Sequence, residues 1–398
     1  RRLIGRRELP TVRQQLVAGK VIDWDQNYSE GRSMRYRKRP EFWRTKKIQC
    51  NDARLQHRIR CLIQENERRL LPIHRWLRDR LLLLTFDIKQ ARSIADGMVP
   101  DADSPLLASE YRQLIREQIE HLSDQLNDGT PEFSCDNYGR IHTPITRLPG
   151  CLRRCLKIDG RQLQELDLSN SQPLCLGLLA MRFFSDSRFR KSLKNWQPAR
   201  PARYATSGPP PARATPPITM VRNPQALYAE RGYGTALMSD LRLELSDTDT
   251  PIGPAGLGEY LDHCQDGTLY ERLMTPDYDR SQIKRALFTD VFYGRDHYPS
   301  LLRDRFYQAY PAIGFILREL KTGEFRRPSW LMQNEESRLF IGRICNRIQI
   351  QQPDIALITI HDSLLTTPEH MNFVESVARS EFARLGVRPK FHRRSYCN

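Results

Sequence analysis

No stretch of this 398-residue sequence is apolar for long enough to cross a bilayer as a helix. The longest run, Leu81 to Leu84 with Thr85 and Phe86, falls far short of the roughly 20 residues required. No membrane partner is expected, and Arg1-Arg2 is not followed by a secretory core. Arg1 stands where a Met would, so the chain reads as a fragment or a processed product. Cysteine is present but unpatterned: nine residues at irregular spacing match neither a zinc motif nor a paired disulfide framework. Free thiols in a cytoplasmic protein, nucleoid-associated if bacterial, are expected. Cys151 and Cys155 have helical spacing but lack two further ligands nearby, which favours packing over structural zinc.

Acidic charge is in deficit. The 47 Asp+Glu stand against 63 Lys+Arg, a net charge of +16 that suits a polyanionic partner and argues against an acidic or apolar one. Residues 1–47 alone hold 14 Lys or Arg and 5 Asp or Glu, so 1–50 reads as a basic arm. Trp24, Tyr28, Tyr36, Phe42 and Trp43 are interleaved with that charge, a mixture able to neutralise phosphates and stack on bases. A solvated face with packing aromatics gives the same pattern.

Between Asp52 and Arg92, basic residues alternate with Leu and Ile at spacings of three and four, and Leu107 to Leu126 repeats the habit. Both stretches predict amphipathic helix, making 51–130 largely helical. Asp136-Asn137-Tyr138-Gly139 predicts a turn. Leu163 to Leu168 alternates as a half-buried strand does, with a helix starting near Pro173. At 196–224 the composition shifts to repeated Pro, Ala, Arg and Gly, which supports neither helix nor ladder, and a disordered insertion is expected there. Helical pattern returns from Arg280. Ile355 to Ile360 predicts a strand, His361-Asp362 a tight turn, and Ser363 to Thr367 a second strand.

Two aspartates stand out for where they fall. Asp167 lies at the end of the first strand and Asp362 in the hairpin turn, where side chains project over a sheet edge. Magnesium prefers hard oxygen ligands and is held by one or two carboxylates plus substrate phosphates. Phosphoryl transfer to a growing strand uses two such ions about 3.5 to 4 Å apart, so two converging aspartates suffice. Between them, Arg280, Lys284, Phe288 and Phe292 recur in steps of four, forming a slowly winding stripe that is cationic at one end and aromatic at the other. Such a stripe fits a nucleotide, with the cations on its triphosphate and a ring against its base. An amphipathic helix with exposed basic residues and buried Phe has the same spacing.

In this order the motifs resemble those of family A DNA polymerases and the single-subunit phage-type RNA polymerases. Glu-Leu-Asp167-Leu-Ser-Asn-Ser-Gln172 is similar to their first carboxylate motif, and Ile-His361-Asp362-Ser363 to their last, in the His-Asp-Ser form of the RNA polymerases. Arg280 to Gly294 resembles the fingers helix, whose Tyr follows Lys by eight residues. Here that place is Phe292, and Tyr293 comes one later. Either Phe292 replaces the Tyr or the helix bulges by one residue before Gly294. Tyr138-Gly139-Arg140, with Arg140 27 residues before Asp167, resembles the Gly-Arg segment that contacts the primer-template duplex. Gln333 matches the Gln that touches the minor groove. The resemblance covers about 131–398 with the insertion excluded.

The resemblance implies an α+β right hand: an antiparallel-sheet palm from 131–195 and 341–398, helical fingers from 225–340, and a thumb-like N-terminal part. It implies Asp167, Asp362 and the Leu168 backbone carbonyl as ligands for two Mg2+, with Mn2+ as a substitute, and Lys284 as a catalytic cation. Arg280, Lys284, Phe288, Phe292, Tyr293 and Gln172 would bind the nucleoside triphosphate; Arg140, Gln333 and His361 would bind the primer-template. Gln172 stands where the DNA polymerases carry a Glu that fills the space of a ribose 2′-hydroxyl. Glutamine keeps the volume and gains an amide able to donate to a hydroxyl, so a leaky preference for deoxynucleotides is expected. A proofreading nuclease needs Asp-x-Glu; the nearest match, Asp87-Ile88-Lys89, has a lysine that cannot ligate a metal, so none is expected. The function implied is a monomeric, template-directed DNA polymerase. The alternatives are an RNA polymerase or primase-like enzyme of the same superfamily, a non-catalytic nucleic-acid-binding palm protein, and a metal nuclease, which has no need of the Lys284 stripe.

Overall fold

The computed structural model describes residues 9–24, 36–39, 52–100, 104, 106–194, 196, 255–276 and 278–396. The insertion read at 196–224, Trp196 apart, lies outside these residues, as do Tyr28, Phe42, Trp43 and the side chains of Trp24 and Tyr36. The chain divides into two compact units, Arg1–Leu70 with Phe86–Asp128, and Leu71–Thr85 with Gly129–Asn398. Among the described residues, no helix is long and apolar enough to cross a membrane.

The first unit is mainly helical. Its helix Ala53–Arg69 buries no residue, as its strongly basic sequence requires, and Asp52 caps its first turn. Helices Ile88–Asp96 and Ala108–Asn127 are joined by Arg92–Glu120 and Arg116–Asp96 ion pairs, both at 2.6 Å. Asp87 serves as the N-cap of Ile88–Asp96, accepting from the Gln90 N–H at 3.1 Å.

In the second unit, Leu71–Thr85 belongs with the residues from Gly129 onward although its helical pattern continues that of the preceding stretch. Pro72, lacking an N–H, starts a new helix, Pro72–Leu81, and the Trp76 indole donates to the Pro353 carbonyl at 2.8 Å. The strand Leu84–Phe86 that follows was hidden within a stretch read as helix.

The sheet that matters has four antiparallel strands: β1 (Gln164–Leu168), β2 (Leu357–Ile360), β3 (Ser363–Thr366) and β4 (Phe391–Ser395), in the order β4-β1-β3-β2. Asp167 pairs with Ser363 across β3 and with His392 across β4. Because side chains alternate along a strand, Leu166, Leu168 and Leu364 line one buried face, while Glu165, Asp167 and Ser363 share the other. Helix α1 (Ser171–Ser185) leaves β1 through Asn170, whose φ of +52° is one that asparagine tolerates. It is apolar on nearly every side and sits inside the core with α2 (Leu257–Asp266). Helices α3 (Arg280–Ala286), α4 (Arg327–Ser337) and α5 (Pro368–Ala383) complete the elements that position the site.

Helix α3 does not stop at Ala286. It runs on as a π-helical turn, Leu287–Phe292, and the Tyr293 N–H donates to the Phe288 carbonyl five residues back at 3.0 Å. One extra residue is thereby absorbed before Gly294, so the bulge is the arrangement this chain adopts. Gly294 is required where the turn closes: a Cβ there would meet the Thr289 carbonyl oxygen at 2.4 Å and the Asp290 carbonyl oxygen at 2.9 Å. Both obstacles are backbone. Gly294→Ala is expected to cost about 1 to 3 kcal/mol, read as a lower urea midpoint at unchanged slope. An unshifted midpoint would show that the helix end is not held this way.

Candidate active site

The two aspartates are brought side by side by register. The Leu168 N–H donates to the Asp362 carbonyl at 3.3 Å, and the Ser363 hydroxyl donates to Asp167 Oδ1 at 2.9 Å. Arg394, on the edge strand β4, reaches Asp167 Oδ2 at 3.0 Å. Asp362 is half-buried, and its carboxyl is pushed up to about 7 by burial first, then by the negative charges of Glu336 and Asp167. A carboxylate so placed needs a cation nearby to ionise fully. Asp167 and Asp362 are the pair that could hold a metal; among the described residues no three His, Cys, Asp or Glu side chains form a closed metal cage.

His361 holds the first position of the hairpin turn with φ +52°, a left-handed conformation that costs a non-glycine residue about 1 to 3 kcal/mol. Its ring packs edge-on against His142 with centroids 5.8 Å apart, and its Nδ1 is buried without a hydrogen-bond partner. Burial, then the nearby Arg140 charge, lowers its pKa to about 4, so it is neutral at physiological pH.

Arg140 is presented by the predicted turn. Asp136 Oδ1 accepts from the Tyr138 and Arg140 N–H groups at 2.8 and 3.0 Å, and Asp136 Oδ2 lies 2.9 Å from His142 Nε2. Burial alone would raise the Asp136 pKa, but the bonds from His142 and the two N–H groups outweigh it and the net shift is downward. The turn docks on α4: Asn334 donates to the Tyr138 carbonyl at 3.2 Å and Ser337 to the Gly139 carbonyl at 2.5 Å. Gly139, at φ +84°, leaves room for this approach, since a Cβ would come within 2.7 Å of Ser337 Oγ.

Arg140 then meets a residue that sequence reasoning missed. Its Nη2 donates to Glu336 Oε1 at 2.7 Å, and Glu336 is 1% exposed. The Ser171 hydroxyl lies 3.3 Å from Glu336 Oε2. The residue after Ser171, Gln172, accepts a hydrogen bond from the Tyr293 hydroxyl through Oε1. Burial, first among its influences, pushes the Tyr293 hydroxyl up to about 12. Arg140 is thus tied through Glu336 to Ser171, and the neighbouring Gln172 is tied to Tyr293, so residues predicted from three separate motifs meet at the start of α1. The Gln172 Oε1 is engaged by Tyr293.

The cationic stripe is exposed. Arg280 pairs with Glu271 at 2.5 Å, and Arg280 and Lys284 stand over the Tyr270 ring at 5.2 and 6.0 Å. Tyr270, also missed from sequence, is 3% exposed; burial raises its pKa, and its hydroxyl senses the charge of Asp362. Phe288 is partly buried against the core, 5.4 Å from the Tyr293 ring. Phe292 is fully buried and packs on Phe306 at 5.7 Å, so its assignment as a nucleotide-stacking ring is corrected: it is a core residue, and Tyr293 is the ring that reaches Gln172.

No protein-family model matches this chain, and no curated protein matches it. Among solved structures, the POL domain of Pol1 from M. smegmatis, solved in complex with DNA primer-template and dNTP, is similar over 72% of this chain at 11% identity and a TM-score of 0.31. The chain spans about half of that structure's length, 53%. That neighbour is distant, and nothing about this chain is argued from it.

Proposed function

We propose that this chain is a template-directed nucleotidyltransferase, a DNA polymerase without proofreading that extends a primed strand. The observation that carries the reading is the register of β1 against the β2-β3 hairpin, which sets Asp167 beside Asp362. The contacts that bring Arg140, Gln172 and Tyr293 to the start of α1 add the features a nucleotide and a duplex require.

The donor set fits magnesium: two carboxylates of hard oxygens, one of them pushed up to about 7 by burial and by the charges of Glu336 and Asp167, which a bound cation would offset. Asp167 and Asp362 would hold the ions, with the Leu168 carbonyl beside them and the remaining ligands from phosphate and water. When bound, the ions supply activation of the 3′-hydroxyl and neutralisation of charge on the phosphates. Arg394, now on Asp167, is more than half exposed and is free to swing away. Lys284 and Arg280 draw in the triphosphate as exposed cations, Tyr293 offers its ring to the base, and Gln172 forms the wall beside the sugar. Arg140 and Gln333 face the duplex, and neutral His361 adds no charge next to the carboxylates.

The test is incorporation of each labelled deoxynucleotide and ribonucleotide on primed and unprimed DNA and RNA templates, with Mg2+ and with Mn2+. Deoxynucleotide addition to a primed DNA template is expected. A product made only from ribonucleotides would transfer the reading to the RNA polymerase branch, which His361-Asp362-Ser363 favours. Duplex binding without any incorporation would leave a non-catalytic binding protein.

A further inference from the structure

Helix α4 continues past Ser337 through a second π-helical stretch, Arg338–Cys345, into the helix Asn346–Gln351, and this end packs on α5. There Glu381 of α5, 5% exposed, is met by three guanidiniums: Arg343 on Oε2 at 3.0 Å, and Arg347 and Arg384 both on Oε1, at 3.5 and 2.8 Å. One guanidinium would balance a single buried carboxylate. Sharing one oxygen brings Arg347 and Arg384 close together, and like charges so placed repel. Neither has another acidic partner among the described residues.

These two arginines line a cavity of about 210 Å3 whose only acid is Glu381. Ser380 and Gln351 add a hydroxyl and an amide, with no protein partner for either side chain among the described residues. Each guanidinium carries five N–H donors, and Glu381 holds Arg347 through Nε and Arg384 through Nη1, so donors of both remain for a second anion. Planar guanidinium forks match the paired oxygens of phosphate. Pockets that enclose whole organic ligands run to about 300 to 1,000 Å3, so this smaller one suits an inorganic anion better than a nucleotide.

We propose that this cavity is a second site, sharing no residue with the candidate active site, that binds a small inorganic phosphate, orthophosphate or pyrophosphate, between Arg347 and Arg384. The bound anion offsets the excess positive charge around Glu381, and Ser380 and Gln351 donate to its edge. The site stands whatever reaction the chain performs.

The experiment titrates each anion calorimetrically into the full chain, in EDTA and at constant chloride. Arg280→Ala and Lys284→Ala are present throughout, so that the exposed cations of α3 do not contribute. One saturable site is expected, and the two titrations decide which anion fills it. Arg347→Gln with Arg384→Gln should weaken binding about tenfold or more, while Glu381 keeps Arg343 and the fold. Ser380→Asp, which removes no ion pair and sets a negative charge at the cavity, should weaken it comparably; this variant decides alone if the arginine variant does not fold. Wild-type affinity in the folded variants, or no saturable binding by the parent chain, would overturn the site. Displacement of the bound anion by a stoichiometric single-stranded oligonucleotide would overturn the small-anion assignment.

Discussion

Arg140→Ala is expected to destabilise the protein by about 3 to 5 kcal/mol, because it strands a buried carboxylate. Glu336 is 1% exposed, and Arg140 is its only basic ion-pair partner among the described residues. Ser171 donates a neutral hydrogen bond that cannot replace a positive charge. Burial, the leading influence, already holds Glu336 above its ordinary value even with Arg140 in place, and losing the guanidinium raises it further. A carboxyl with a raised folded-state pKa stabilises the fold while protonated, below the unfolded value of 4.5, and loses that contribution as pH rises through the folded value. The deficit of Arg140→Ala should therefore grow from pH 5 to pH 8. Adding Glu336→Gln should return most of it, since no buried charge remains. Urea denaturation of the three proteins at both pH values checks this, and a small loss independent of pH would contradict the buried pair.

Asp362→Asn is expected to produce two opposite effects: incorporation falls to background, and the protein without magnesium becomes more heat-stable at pH 8. Burial, Glu336 and Asp167 push this carboxyl from 3.8 to about 7. Between those values the folded chain holds more protons than the unfolded one, so stability declines as pH rises from about 4 to 7 and is lowest above it. The asparagine variant escapes that decline. Magnesium should raise the melting temperature of the wild type at pH 8 by relieving the same repulsion, and should do little for Asp362→Asn. A variant that melts below the wild type at pH 8 in EDTA would show that the carboxylate supports the fold.

Much of the sheet was legible because its signals are local. The alternation through Gln164–Leu168 and the apolar run before His361-Asp362 mark two strands and a hairpin, and strand register alone then sets the aspartates together. The nine-residue step from Lys284 to Tyr293 left two arrangements open, since spacing cannot reveal whether a helix bulges; the π turn shows that it does. Glu336 was illegible for another reason. In Asn334-Glu335-Glu336-Ser337 both acids look solvated, yet both are 1% exposed. Glu335 pairs with Arg338 at a spacing of three, a signal the sequence does carry. Glu336 pairs with Arg140, 196 residues away, which only the folded chain discloses. Tyr270 was missed likewise, because its place beneath Arg280 and Lys284 depends on how two helices meet.

The central claim, that Asp167 and Asp362 form a nucleotidyl-transfer site, is tested most directly by template-directed incorporation of a labelled nucleotide by the wild type and by Asp167→Asn, with duplex affinity measured on the same preparations. The wild type should extend a primed template in Mg2+. Asp167→Asn should fall to background while binding the duplex within a few-fold of wild type, because binding depends on the basic surface. Sustained extension by Asp167→Asn, or none by the wild type under any combination of template and nucleotide, would contradict it.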